Sequence, residues 1–222
     1  MQSLRRITAA LFALAALGAA SAASAENVPP VATAPFDYYV MALSWSPGFC
    51  DLGGQRKSPR QCAPGSGWGF VVHGLWPDKS FGPDPANCDP GADVYSADLA
   101  AARGLYPTDS LAAYEYRKHG TCSGLDPAGY FAAVRTVRDG LVIPPLLQGV
   151  RAWRRLAPEA IREAFIEANA NLRPDNLAVN CAQGQLVDVR ICISKTLKAF
   201  ATCPQVARNT CRRDTILVAP LR

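Results

Sequence analysis

Two apolar runs dominate the hydrophobic and polar pattern of this chain. Residues 36–45 (Phe-Asp-Tyr-Tyr-Val-Met-Ala-Leu-Ser-Trp) are almost continuously aromatic or aliphatic and predict a largely buried strand. Residues 68–75 form a second run and predict a central strand, with His73 near its C-terminal end and Trp76-Pro77 closing it. Shorter apolar stretches at 177–179, 186–194 and 215–218 predict further strands. Composition and spacing predict helices over 96–103, 127–139 and 158–170. Another runs from an N-cap at Ser110 to about His119, with Gly120 as its stop. The Pro-, Gly- and Asp-rich intervals 46–67 and 78–93 read as loops. No repeat and no long linker interrupts the pattern, so the expectation is one α+β domain over 36–222, preceded by a loose lead-in at 26–35.

The first 25 residues stand outside that pattern. Arg5 and Arg6 precede an apolar run from Ile7 to Ala20, and Ala23-Ser24-Ala25 is a small-residue cleavage signal. The run is short for a membrane span, so an export signal is expected rather than a retained anchor. The mature protein is then periplasmic or secreted, with no membrane anchor. Cleavage leaves 197 of the 222 residues and, with two arginines gone, lowers the formal charge from +5 to +3. That charge permits a polyanionic partner without arguing for one. All eight cysteines lie in the mature part, and an even count behind an export signal implies disulfides. No Cys-x-x-Cys spacing suggests zinc. Proximity along the chain favours Cys50–Cys62, Cys88–Cys122, Cys181–Cys211 and Cys192–Cys203, the last bracketing a hairpin.

The chain has only two histidines, and each sits in a dense motif: Val72-His73-Gly74-Leu75-Trp76-Pro77 and Glu115-Tyr116-Arg117-Lys118-His119-Gly120-Thr121-Cys122. Glu115, Lys118 and His119 are spaced i, i+3, i+4 and share a helix face. Histidine can both take and give a proton near neutral pH, and a carboxylate and an ammonium beside it can tune it and steady developing charge. Those parts suit cleavage of an RNA phosphodiester, whose 2′-hydroxyl is a built-in nucleophile. Taken alone, the Glu115 pairings would be an ordinary exposed helix pair. Trp76 could be plain core, and Arg56, Lys57 and Arg60 a solvated loop surface that could also meet phosphates of a longer RNA.

The segments Phe70-Val71-Val72-His73-Gly74-Leu75-Trp76-Pro77 and Glu115 to Cys122 resemble the two active-site signatures of the ribonuclease T2 family. The likeness spans roughly 36–211. It includes an opening strand ending in Ser44-Trp45-Ser46-Pro47 and a Leu105-Tyr106-Pro107 segment where the family often has Trp-Pro. The resemblance implies an α+β fold with a central antiparallel sheet and flanking helices. It implies endonucleolytic cleavage of RNA without metal or other cofactor and with little base preference. His119 matches the general base, His73 the general acid, and Glu115 with Lys118 the pair supporting the charged intermediate. Trp76 matches a tryptophan near the phosphate and base site, and Asp78 a base-binding position. Many members carry a third histidine where this chain has Tyr114, and tryptophan is common at Tyr116. Tyr114 can donate a hydrogen bond to phosphate but is not cationic near neutral pH. The expected partner is single-stranded RNA, with DNA left uncut and the protein a monomer. The alternative is a weak or inactive RNA-binding or inhibitory protein on the same scaffold. A metal-dependent phosphodiesterase would need more ligands than the two motifs offer.

Overall fold

The structure is a computed structural model that describes residues 34–222. The expected leader and most of the expected lead-in lie outside the described residues. The first apolar run forms β1 (Tyr38–Trp45), which pairs antiparallel with β2 (Phe70–Asp78) on one side and β5 (Gln185–Ser194) on the other. β5 also carries β4 (Leu177–Ala182), antiparallel, and meets β6 (Ile216–Val218) through one parallel pair. A three-residue strand, β3 (Arg154–Leu156), edges β6. The sheet is thus antiparallel apart from the β5–β6 contact. Neither Arg154 nor Arg155 is buried, so β3 has no apolar signal in the sequence.

Burial on both faces explains the unbroken hydrophobicity of β1. Tyr39, Met41, Leu43 and Trp45 point into the main core, which includes Phe131 and Val134 of α3 (Pro127–Asp139) and Phe165 of α4 (Pro158–Ala168). Tyr38 and Val40 point the other way, into a smaller cluster with Ala178, Cys192 and Val206 of α5 (Pro204–Arg208). That second cluster covers one end of the outer face and leaves the end near Ala42 and Ser44 to the site.

Several expectations shift. β2 does not stop before Trp76 but runs through Pro77 to Asp78, so His73 is the fourth of nine residues rather than near the end. Pro77 is tolerated because β2 is an edge strand and needs no amide donor on its outer side. The interval 46–67 is not all loop: Pro47 opens a short helix, α1 (Ser46–Asp51), and Gly54–Arg56 makes a 3₁₀ turn. The helix expected at 96–103 is a 3₁₀ segment, Asp98–Ala102. In α2 (Asp109–Lys118) the cap is Thr108, whose extended backbone lets its hydroxyl accept from Leu111 N at 3.2 Å, so Ser110 lies inside the helix.

Disulfides join Cys50–Cys62, Cys88–Cys122, Cys181–Cys211 and Cys192–Cys203, at S–S separations from 1.99 to 2.13 Å. Ile193 and Phe200 bridge across the turn enclosed by the last of them. Among the described residues no helix is long and apolar enough to cross a membrane.

Candidate active site

A bulge sets the direction of His73. Ala42 pairs with Gly74 and Leu43 with Val72, so His73 is the extra residue between them. Without the insertion it would stand opposite Leu43 and join the core pattern; the bulge turns it out instead. Its Nδ1 lies 3.3 Å from Ser44 Oγ, and 43% of its side chain is exposed to the cleft.

The second histidine comes from the end of α2. The last helical residue is Lys118, and His119 caps the helix with φ −121°, its N–H donating to Glu115 O at 2.9 Å. Gly120 follows the cap, where the helix was expected to stop. It opens the 3₁₀ turn Gly120–Cys122, where a Cβ would sit 2.5 Å from Tyr116 and 3.1 Å from Tyr130. Glycine is required here by close packing. The Cys88–Cys122 bridge and a hydrogen bond from Asn87 N to Lys118 O (2.6 Å) hold the segment before Cys88 against this turn.

Glu115 joins the two histidines. Its side chain is only 2% exposed; Oε1 lies 3.5 Å from His73 Nε2 and Oε2 lies 3.9 Å from His119 Nε2. Trp76 Nε1 donates to Oε2 at 2.8 Å. The Trp76 ring lies 5.4 Å from the His73 ring and 5.1 Å from that of His119. Gly74 makes the arrangement possible, since a Cβ there would fall 2.1 Å from Trp76 Nε1 and 2.6 Å from Glu115 Oε2. Glu115 is thus no exposed helix pair, and Trp76 is a spacer between imidazoles rather than plain core.

Burial sets the protonation chemistry. It lifts the Glu115 carboxyl to about 7, against the opposing pull of the Trp76 donor and the Lys118 charge. It lowers His119 to about 4, helped by the neighbouring Lys118 and His73. His73 is also lowered by burial, while the Asp188 carboxylate works against that shift.

Of the other sequence-selected residues, Tyr114 lies beside this centre and Asp78 does not. Tyr114 is half-exposed, with Lys118 Nζ 5.6 Å from its ring centre. It lines a cleft of about 910 Å³ together with His73, Ser44, Gln61, Lys57 and Arg60. Asp78 is not gathered around Glu115. It is buried at the end of β2, bonded to Lys79 N at 2.7 Å, and pushed up to about 8 by burial and by Asp84. Sequence reasoning missed Ser44, Asp188 and Arg190, all near His73. Their signal was polarity at alternate positions inside otherwise apolar strands. Among the described residues no group of three or more His, Cys, Asp or Glu side chains could hold a metal ion.

The sequence profile of the Ribonuclease T2 family matches residues 36–203. A probable ribonuclease of Haemophilus influenzae is 30% identical over 155 residues, and a ribonuclease of Aeromonas hydrophila is 39% identical over 109. Those matches cover 63% and 47% of this chain, and span only 57% and 46% of the relatives' own lengths. Among solved structures, an RNase-related protein from Calystegia sepium superposes with a TM-score of 0.64 at 24% identity, covering 85% of this chain and 98% of that one. At that identity the likeness concerns the fold.

Proposed function

The chain belongs to the ribonuclease T2 family, and we propose that it is an endoribonuclease using His73 and His119 as paired acid and base. The observation that carries this reading is the convergence of both imidazoles on one buried carboxylate, at 3.5 and 3.9 Å. In the first step His119 takes the proton of the 2′-hydroxyl. The 2′-oxygen bonds to phosphorus, the bond from phosphorus to the 5′-oxygen breaks, and His73 gives its proton to that oxygen. A 2′,3′-cyclic phosphate results. Water then opens it with the roles exchanged, leaving a 3′-phosphate. Lys118, and Glu115 in the protonated form that burial favours by raising its carboxyl to about 7, steady charge on the pentacoordinate phosphorus.

The depressed pKa of His119 suits a base, because its imidazole is neutral well below pH 7. Burial lowers the pKa of His73, the charges of Arg190 and Lys118 add to that, and only Asp188 opposes it; the negative charge of a bound phosphate is what favours the protonated form His73 needs as an acid. The substrate is single-stranded RNA, acted on by an exported monomer that needs no metal. Tyr114 and Trp76 supply substrate contacts. The test compares RNA with DNA of the same sequence in the presence of chelator. RNA alone should be cut. Equal cleavage of both, or loss of RNA cleavage with chelator, would overturn the reading, and a folded protein that binds RNA without cutting it would favour the inert-scaffold alternative.

A further inference from the structure

Resting on that reading, we propose that Arg190 is a further catalytic residue, whose guanidinium grips the non-bridging oxygens of the reacting phosphate from the Trp76 side of the site. Cross-strand register puts it there. Ala42 of β1 pairs with Gly74 on one side and Arg190 on the other, so all three face the same way. Ala42 and Gly74 have almost no side chain, and Arg190 reaches across them to lie with Cζ 5.2 Å from the Trp76 ring centre. The same ring touches both histidines.

Arg190 is also held as a ligand-binding arginine would be. Its Nε donates to Asp188 Oδ1 at 3.1 Å, and that oxygen is fixed in turn by Asn180 Nδ2 at 2.6 Å. Neither Nη atom has a hydrogen-bond acceptor among the described residues, and 37% of the side chain is exposed. The free fork matches two phosphate oxygens, which a lysine cannot do. An ordinary surface ion pair would have no need of the second anchor or the stacking on Trp76.

The test uses Arg190→Gln and Arg190→Lys, each confirmed as folded by near-UV circular dichroism. Cleavage of a dinucleotide, which has a single phosphate, is measured beside binding of inorganic phosphate. Arg190→Gln should lower kcat/KM on the dinucleotide by ~10²-fold and weaken phosphate binding at least about tenfold, with the lysine variant intermediate. Unchanged phosphate binding and dinucleotide turnover would overturn the assignment. A loss confined to longer RNAs would overturn it too, because Arg190 would then meet a flanking phosphate. If the wild type cuts no RNA, the ribonuclease reading fails by itself, and phosphate binding still decides the role of Arg190.

Discussion

Glu115→Gln measures what the site costs the fold. The buried carboxyl holds its proton more tightly in the folded protein, 4.5 becoming about 7. At about 1.4 kcal/mol per pH unit the gap corresponds to roughly 3 kcal/mol. The sign follows from linkage. A raised carboxyl contributes stability that is complete below the unfolded pKa and lost as pH rises through the folded one. Wild type therefore gives up roughly 3 kcal/mol between pH 4.5 and somewhat above 7. Glutamine has no charge to bury and can still accept from Trp76. The variant should match wild type near pH 4.5 and exceed it by up to ~3 kcal/mol at pH 8, or roughly 6–12 °C in Tm for a domain of this size. His119 titrates in the opposite sense, lowered from 6.5 to about 4, so its stabilisation is lost as pH falls through that range. The wild-type curve is consequently flattened, and the difference between the two proteins is the quantity to read. Urea unfolding with the disulfides intact, followed at several pH values, gives it. A variant less stable than wild type at pH 8, or a difference independent of pH, would refute the reasoning. RNA cleavage should meanwhile fall at least ~10²-fold, a trade of activity for stability.

His73→Ala and His119→Ala should each cut turnover by at least ~10²-fold, and near-normal rates in either, measured on single-stranded RNA, would remove that residue from acid–base work. Gly74→Ala places a methyl where Trp76 Nε1 and Glu115 Oε2 now sit, and Glu115 is too buried to retreat. It should destabilise the protein by about 1–3 kcal/mol and lower kcat more than substrate affinity; wild-type kcat in this variant would mean that the Trp76–Glu115 contact is dispensable.

The parts of the site closest together in sequence were the most legible. Glu115, Lys118 and His119 lie within one helical turn and its cap, so spacing alone puts them on one side. The apolar run of β1 announced a buried strand for an equally local reason. His73 was recognisable as chemistry but not as geometry, because its direction depends on a bulge that exists only in the pairing with β1. Arg190 was invisible for the same reason: its neighbours Ala42, Gly74 and Trp76 are set by register between strands far apart in the chain. Pro77 misled because proline ends most strands and is spared only at an edge, which a sequence does not reveal. Asp78 was selected by its place in the motif, yet its partners are Lys79 and Asp84.

Phosphorus NMR of a ribodinucleotide, followed in real time beside its 2′-deoxy counterpart, tests most directly whether two imidazoles work on opposite sides of one linkage. The account predicts a 2′,3′-cyclic phosphate that rises and then decays to a 3′-phosphate, with the deoxy compound untouched. A 5′-phosphate product formed without any cyclic intermediate, or cleavage of the deoxy compound, would contradict it.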